Sequence, residues 1–314
     1  MTKVFIDGSA GTTGLRIDER FQERDDVEVI HIDSEKRKDP EERKRLINSA
    51  DIAFLCLPDA AAKESVSLVE NDQVCIIDTS TAHRTEPGWA YGFPELSGTH
   101  RENIIHGKRI AVPGCYASGF ISLVYPMVSG GILPKDYPVV SFALSGYSGA
   151  GKKTIALYEE TERPAEFSSG REYALSQQHK HLKEMQKITG LKRAPLFSPI
   201  IDDYYSGMLV SVPVYTDLLK EKHTPATLLE YFREYYKGQQ FIFVSEKEDE
   251  TVASGFLAGN AMADRDGLKI YVTGNEERIV LSAQFDNLGK GASGAAIQCM
   301  NLVLGCDEAK GLHL

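Results

Sequence analysis

The chain has 314 residues, 42% hydrophobic and 25% charged, enough for two packed cores in a soluble globular protein. A formal net charge of −10 argues against a nucleic-acid binder or a protein held to anionic lipid. The five cysteines, Cys56, Cys75, Cys115, Cys299 and Cys306, are odd in number and widely spread, which suits reduced thiols rather than a disulfide framework.

Met1-Thr2-Lys3-Val4-Phe5-Ile6-Asp7 enters a strand at once, without the pattern of a signal peptide. No apolar stretch is long enough to span a bilayer, so a cytoplasmic protein with no membrane partner is expected. Next comes the turn Gly8-Ser9-Ala10-Gly11-Thr12-Thr13-Gly14, opening a helix to about Arg24. Glu28–Ile32 reads as a strand, and Asp39-Pro40 supplies an N-cap and a first-turn proline for a helix to about Ser49. Ile52–Leu57 is a strand, Ala60–Val69 a helix and Val74–Ile77 a fourth strand. This alternation predicts a Rossmann-like, doubly wound parallel sheet.

Within it, Gly8-x-x-Gly11-x-x-Gly14 differs by one position from the usual dinucleotide fingerprint but works the same way. Glycines let a backbone approach a pyrophosphate at a helix N-terminus. Residues 8 to 14 are therefore candidate cofactor contacts. Asp33, ending the second strand, suits the ribose hydroxyl of NAD. Ser34, Lys36, Arg37 and Lys38 follow directly and suit the extra phosphate of NADP. We adopt NADP, with Lys36 and Arg37 on that phosphate. After the fourth strand comes Asp78-Thr79-Ser80-Thr81-Ala82-His83-Arg84, where Arg84 is a candidate fork for a substrate carboxylate or phosphate. Tyr91-Gly92-Phe93-Pro94-Glu95-Leu96 is turn-rich and receives no assignment.

Arg109–Val112 reads as a short strand, broken by Pro113-Gly114 and followed by apolar residues at helical spacing, with Gly130-Gly131 as the stop. Cys115 stands at the bend, where a helix dipole lowers a thiol's pKa and makes a thiolate. A small buried residue fits the same place. Tyr116, Ala117 and Ser118 are expected to leave the approach polar or small. Val139–Leu144 is a strand, and Gly146 to Lys152 nearly spells a P-loop, but Lys153 stands where the magnesium-binding hydroxyl belongs. A flexible loop is the preferred reading over a nucleotide kinase.

From Glu172 to Met185 the pattern reads as helical, so only one of His179 and His181 should face a given site. No companions at zinc spacing accompany the pair, and no metal is expected. A histidine facing the cysteine would serve as its acid–base partner. Strands at Leu196–Ile201, Met208–Val214, Phe241–Val244, Lys269–Thr273 and Arg278–Phe285, with one helix from Thr224-Pro225 to about Lys237, predict an α+β domain on a large mixed or antiparallel sheet. Such a sheet often carries a subunit interface. Small residues from Asp286 to Gln298 open a final helix.

The glycine turn, Pro113-Gly114-Cys115-Tyr116, Ser145 to Lys152, His179-Lys180-His181 and Asp286-Asn287-Leu288-Gly289-Lys290-Gly291-Ala292 occur in this order over nearly the whole chain. As a set they resemble the shorter form of the N-acetyl-gamma-glutamyl-phosphate reductases of arginine biosynthesis, relatives of aspartate-semialdehyde dehydrogenase. The resemblance implies an NADP-dependent reduction of a small-molecule acyl phosphate through a cysteine thioester. It implies Cys115 as nucleophile, His181 as acid–base and Asn287 near the nicotinamide. The final helix then returns to the first domain, giving residues 1–115 with 287–314 for the dinucleotide and 116–286 for catalysis and subunit contact, in a homo-oligomer (dimer or tetramer). The chain departs from the longer members' H-R-H-x-P-E-I at His179 to Met185 and from their D-L-S-A-D-F-R at Asp78 to Arg84. An aspartate-semialdehyde dehydrogenase, which usually has Asn where Gly114 stands, and a non-catalytic NADP(H) sensor are the alternatives.

Overall fold

The computed structural model describes residues 1–314, and the chain divides into two compact units: Met1–Gly114 with Ala292–His313, and Cys115–Gly291. The change of unit thus falls just before Cys115, and the return after Gly291.

The first unit is built on β1 (Thr2–Asp7), β2 (Val27–Ile30), β3 (Ile52–Leu55), β4 (Cys75–Asp78), β5 (Ala90–Tyr91) and β6 (Arg109–Ala111). All neighbours run parallel, in the order β2-β1-β3-β4-β6-β5. The helices are α1 (Thr12–Phe21), α2 (Pro40–Ser49), α3 (Asp59–Ser67) and α4 (Gly98–Ile105), with the C-terminal helix Gly294–Leu304. Pleat alternation splits the strands between two cores. Val4, Ile6, Phe54, Ile77 and Ile110 pack with Ile17 and Phe21 of α1 and with Ala296, Ile297 and Met300 of the last helix. Phe5, Ala53, Leu55 and Ile76 pack with Leu46, Ile47 and Ala62 on the other face. A sheet buried on both faces explains strands that read as continuous apolar runs. Reversal of direction after β1 puts a crevice at the carboxyl ends of β1 and β3, where such sheets bind ligands.

The segment left unassigned, Tyr91 to Leu96, closes the β5 edge. Gly92 N–H donates to Ala111 O at 2.8 Å, and a Cβ at Gly92 would meet that oxygen at 3.1 Å. A side chain there would have to push its neighbours back by a few tenths of an ångström.

The second unit contains α5 (Cys115–Ser129), β7 (Val140–Gly146), α6 (Lys152–Glu159), β8 (Arg171–Glu172), α7 (Leu182–Thr189), β9 (Leu196–Asp202), β10 (Met208–Tyr215), α8 (Pro225–Tyr235), β11 (Ile242–Val244), α9 (Glu250–Ala253), β12 (Leu268–Gly274) and β13 (Arg278–Phe285). Its seven-stranded sheet has the order β11-β12-β13-β10-β7-β9-β8. β7 and β9 pair in parallel, as do β11 and β12, and the other ladders are antiparallel, so the sheet is mixed. No helix of the chain is long and apolar enough to cross a membrane.

Helix α5 is the buried axis of this unit. Gly119 faces the sheet so closely that a Cβ would meet the Val210 and Phe285 side chains at 2.5 and 2.8 Å. Pro126 lies inside the helix and has no N–H for Ser122 O. Tyr236 donates its hydroxyl to that carbonyl at 2.7 Å instead. The helix stays continuous because a side chain fills the missing place.

Candidate active site

Two constructions result, one in each unit. In the first, Gly8 takes φ +90, and a Cβ there would sit 2.3 Å from Cys56 O. A Cβ at Gly14 would meet Gly8 O at 2.5 Å, while Gly11 N–H closes the turn onto Gly8 O at 2.9 Å. Each outer glycine is thus demanded by backbone packing. Gly11 is the N-cap of α1 and brings no side-chain acceptor to its first turn. The orphan N–H groups and dipole there suit an anion. Ser9, Thr12 and Thr13 lie half-buried around the turn, and Ala10 is exposed. Beneath it, Arg43 of α2 donates to Asp7 at the end of β1 at 3.1 Å, and Ser65 Oγ donates to the same oxygen at 2.8 Å. This buried brace has no sequence signal.

Lys36 and Arg37 lie in an exposed turn, with Lys36 N–H on Asp33 O at 3.0 Å and Arg37 Nε on Ser34 O at 3.0 Å. Arg84, the candidate anion fork, has two of its donors engaged by backbone carbonyls. It is buried, its Nε donating to Val112 O at 2.8 Å and an Nη to Thr79 O at 3.0 Å. Those donors serve the backbone between β6 and Cys115.

In the second unit Cys115 is the first residue of the 15-residue helix α5 and is partly exposed. Desolvation pushes the thiols of Cys56 and Cys75 up to about 12 and about 11, which disfavours their thiolates. Tyr116, Ala117 and Ser118 do not form the approach, because all three are buried. Instead the Tyr116 ring packs against His179 at 5.6 Å, His181 at 6.0 Å, Phe197 at 5.3 Å and Tyr173 at 6.3 Å between centroids. The residue beside the cysteine therefore binds the histidine pair to the start of α5. Burial, then the neighbouring Tyr173 and Cys115, pushes the Tyr116 hydroxyl well above the ordinary phenol range. Burial also raises Tyr173.

Of the helix expected from Glu172 to Met185, only the part from Leu182 forms. β8 ends at Glu172, residues 173 to 181 form a loop, and α7 begins at Leu182. Ala174 and Gln177 take φ of 54 and 56, outside the right-handed helix. Tertiary pairing overrides local pattern: Gln177 donates to Phe197 O at 2.9 Å and accepts from Phe197 N–H at 3.0 Å. Both histidines consequently face one cluster, with centroids 4.6 Å apart and rings perpendicular. His181 is 4% exposed.

Asn287 is 1% exposed; it accepts from Gly207 N–H at 2.9 Å and donates to Ser148 Oγ at 2.9 Å. It thus joins the loop after β7 to the start of β10. Asp286 accepts from Leu288 N–H and Asp264 N–H, each at 2.7 Å. A π turn follows, closed by Gly291 N–H on Asp286 O at 3.0 Å. A Cβ at Gly291 would lie 2.9 Å from Cys115 Cβ, so this glycine leaves room for the cysteine.

The P-loop-like stretch offers no phosphate cradle. Gly146, Tyr147 and Ser148 N–H groups donate to Gly207, Tyr204 and Tyr205 carbonyls at 2.9 Å each. A 3₁₀ turn and α6 replace the expected flexible loop.

Fold and site define a two-unit dehydrogenase class. Residues 3–104 match the semialdehyde dehydrogenase NAD binding domain and residues 115–287 the semialdehyde dehydrogenase dimerisation domain. Solved aspartate semialdehyde dehydrogenases share the fold at 16% identity: the Francisella tularensis enzyme (TM-score 0.71, 97% of this chain and 100% of that one) and the Candida albicans enzyme with NADP (TM-score 0.70, 98% and 99%). The Nostoc sp. protein named N-acetyl-gamma-glutamyl-phosphate reductase 2 is 44% identical over 99% of both chains. The Brucella ovis N-acetyl-gamma-glutamyl-phosphate reductase is 45% identical over 96% of this chain and 99% of its own. The chain belongs to the N-acetyl-gamma-glutamyl-phosphate reductase family, within the semialdehyde dehydrogenases, and carries that class's nicotinamide-cofactor domain.

Proposed function

We propose that this chain reduces N-acetyl-gamma-glutamyl phosphate with NADPH, yielding N-acetylglutamate semialdehyde and phosphate, as a cytoplasmic step of arginine biosynthesis. The observation that carries the reading is 44% identity, over 99% of both chains, to a protein of that name. The turn at Gly8, Gly11 and Gly14 fits a pyrophosphate, because added Cβ atoms would fill its packed backbone and α1 begins without a side-chain cap. Lys36 and Arg37 hold the additional phosphate of NADP, and Asn287 orders the nicotinamide end through Ser148.

In this mechanism Cys115 Sγ, ionised at the start of α5, attacks the acyl carbon. The C–S bond forms and the C–O bond to phosphate breaks, the electron pair leaving with phosphate. Backbone N–H groups of the first turn of α5 hold the oxyanion. When bound, the reduced nicotinamide supplies a hydride to the thioester carbon. The alkoxide so formed is held by the same N–H groups and by a proton of His181. It collapses to the aldehyde as the C–S bond breaks, returning the Cys115 thiolate. Arg84 supports these steps from behind, by fixing Val112 O ahead of the cysteine.

The second unit is read as the subunit contact, consistent with its match to a dimerisation domain. Val140, Phe142, Leu196 and Tyr215 project from one face of the mixed sheet, 39%, 42%, 62% and 58% exposed. A second copy covering this face would bury them, in a dimer or a tetramer assembled from dimers.

The test runs the reaction backwards. Purified protein is given N-acetylglutamate semialdehyde, phosphate and either NADP or NAD, with aspartate semialdehyde in parallel, and reduced nicotinamide is followed by absorbance. Turnover of the acetylated substrate with NADP is expected. Turnover of aspartate semialdehyde alone, or of neither, overturns the reading.

A further inference from the structure

His181 is the N-cap of α7, and its own side chain makes no capping hydrogen bond. Its backbone N–H lies outside the intrahelical ladder and needs an acceptor from elsewhere. Here the acceptor is an imidazole nitrogen: His181 N–H donates to His179 Nδ1 at 3.1 Å. The carbonyl of the same residue takes the next donor, Leu182 N–H, at 3.1 Å. His179 thus receives the N–H groups of both the N-cap and the first helical residue, one on its ring and one on its carbonyl. At its other end, His179 Nε2 lies 3.3 Å from the Tyr173 hydroxyl. The ring also packs at 5.6 Å from Tyr116, 5.3 Å from Phe197 and 4.6 Å from His181.

The proton count on this ring follows from its partners. A backbone amide cannot act as acceptor, so Nδ1 must present its lone pair, and a ring protonated at Nδ1 would oppose donor to donor. The remaining proton is on Nε2 and points at the Tyr173 oxygen. The tautomer is set by the two partners together.

We propose that His179 is a positioning residue: a neutral imidazole, protonated on Nε2, that seats His181 against Tyr116 by accepting its backbone N–H. It touches no reacting atom and acts only through His181. The inference rests on the reading of His181 as the acid–base group and deepens it, since the two histidines become one assembly with unequal duties.

Substitutions at one position separate the acceptor role from bulk. Asn places Oδ1 the same number of bonds from Cα as Nδ1, whereas Gln places its amide further out, towards Tyr173. His179→Ala should lower kcat by about 10²-fold with little change in KM, the cost of misplacing a reacting group by about 1 Å. His179→Asn should recover kcat to within about tenfold of the parent enzyme, and His179→Gln should remain with Ala. In a His181→Ala background, His179→Ala should add no further loss beyond about twofold, because its effect travels through the ring already removed. Long-range ¹H–¹⁵N correlation of histidine-labelled resting enzyme should show His179 Nδ1 as the lone-pair nitrogen, and this readout needs no turnover. A protonated Nδ1, an Asn variant no better than Ala, or independent multiplying losses in the double variant would overturn the proposal. Full activity of His181→Ala would instead overturn the choice of His181, while the nitrogen spectrum still reports on the seat.

Discussion

The glycine turn of the first unit and the histidine loop of the second are both strand-to-helix connections, and they are encoded in opposite ways. In the turn every special residue meets its reason within a few positions or on the adjoining strand: Gly14 against Gly8 O, Gly8 against Cys56 O. In the loop, residues 173 to 181 carry a helical pattern but are held by β9, through Gln177 on the Phe197 backbone, and by the Tyr116 ring of α5. A backbone cradle is specified by what its residues lack, namely Cβ atoms, and so survives as a motif. A side-chain constellation is specified by distant partners and leaves little local trace. Substitutions in the two regions should accordingly fail differently.

The largest effect is expected where neither region can compensate. Cys115→Ser should abolish turnover, because a serine hydroxyl at a helix start does not ionise as a thiol does. NADPH affinity, read by fluorescence titration, should be nearly unchanged, since the glycine turn is untouched. Parental kcat in this variant would remove the covalent step altogether. Next comes His181→Ala, with kcat lower by about 10²–10⁴-fold, the usual worth of a general acid–base group, and again an intact cofactor titration. Steady-state kinetics of His179→Ala beside it would expose a wrong choice of ring if that variant alone lost activity.

What could be read from the chain divides along the same line. The parallel sheet, its helices and the glycine turn were legible because two periodicities and a few breakers specify them. Cys115 was legible as a strand-to-helix corner for the same reason. Its companions were not. Tyr116 looked like part of an open approach, yet it is the buried ring that joins the cysteine to both histidines. Gly291 stood in a run of small residues with nothing to mark it as the one facing Cys115 Cβ. Nothing in the sequence marks Arg84 for the two backbone carbonyls it meets, since a guanidinium that suits an anion suits carbonyls equally well. The P-loop likeness shows the converse hazard: spacing matched, but the N–H groups were already engaged across the unit by residues 204 to 207.

The turn can be broken on its own by Gly8→Ala. Its φ of +90 and a 2.3 Å approach to Cys56 O leave no room for a methyl. Strained backbone at one residue costs on the order of 1–3 kcal/mol, so stability to urea should fall by about that amount. The NADPH KM should rise about tenfold or more, because the helix start that meets the pyrophosphate must shift. Thiol reactivity at Cys115 should hold. An unchanged KM would mean that the turn does not carry the cofactor, whatever its glycines accomplish in packing.

The smallest effect probes the loop where its hold is most remote from the chemistry. Gln177→Ala deletes both hydrogen bonds to Phe197 and leaves every aromatic ring in place. Two neutral hydrogen bonds are worth about 1–2 kcal/mol net. The residue already sits in the left-handed region at φ 56, which alanine adopts no more readily, so no relief of strain offsets the loss. Hydrogen exchange should show it first. The His181 amide, whose acceptor His179 lies two residues beyond the lost clamp, should exchange faster, while amides of the glycine turn keep their protection. If the His181 amide stays as protected as before, the loop is held by its rings rather than by β9, and the contrast drawn between the two connections fails at that point.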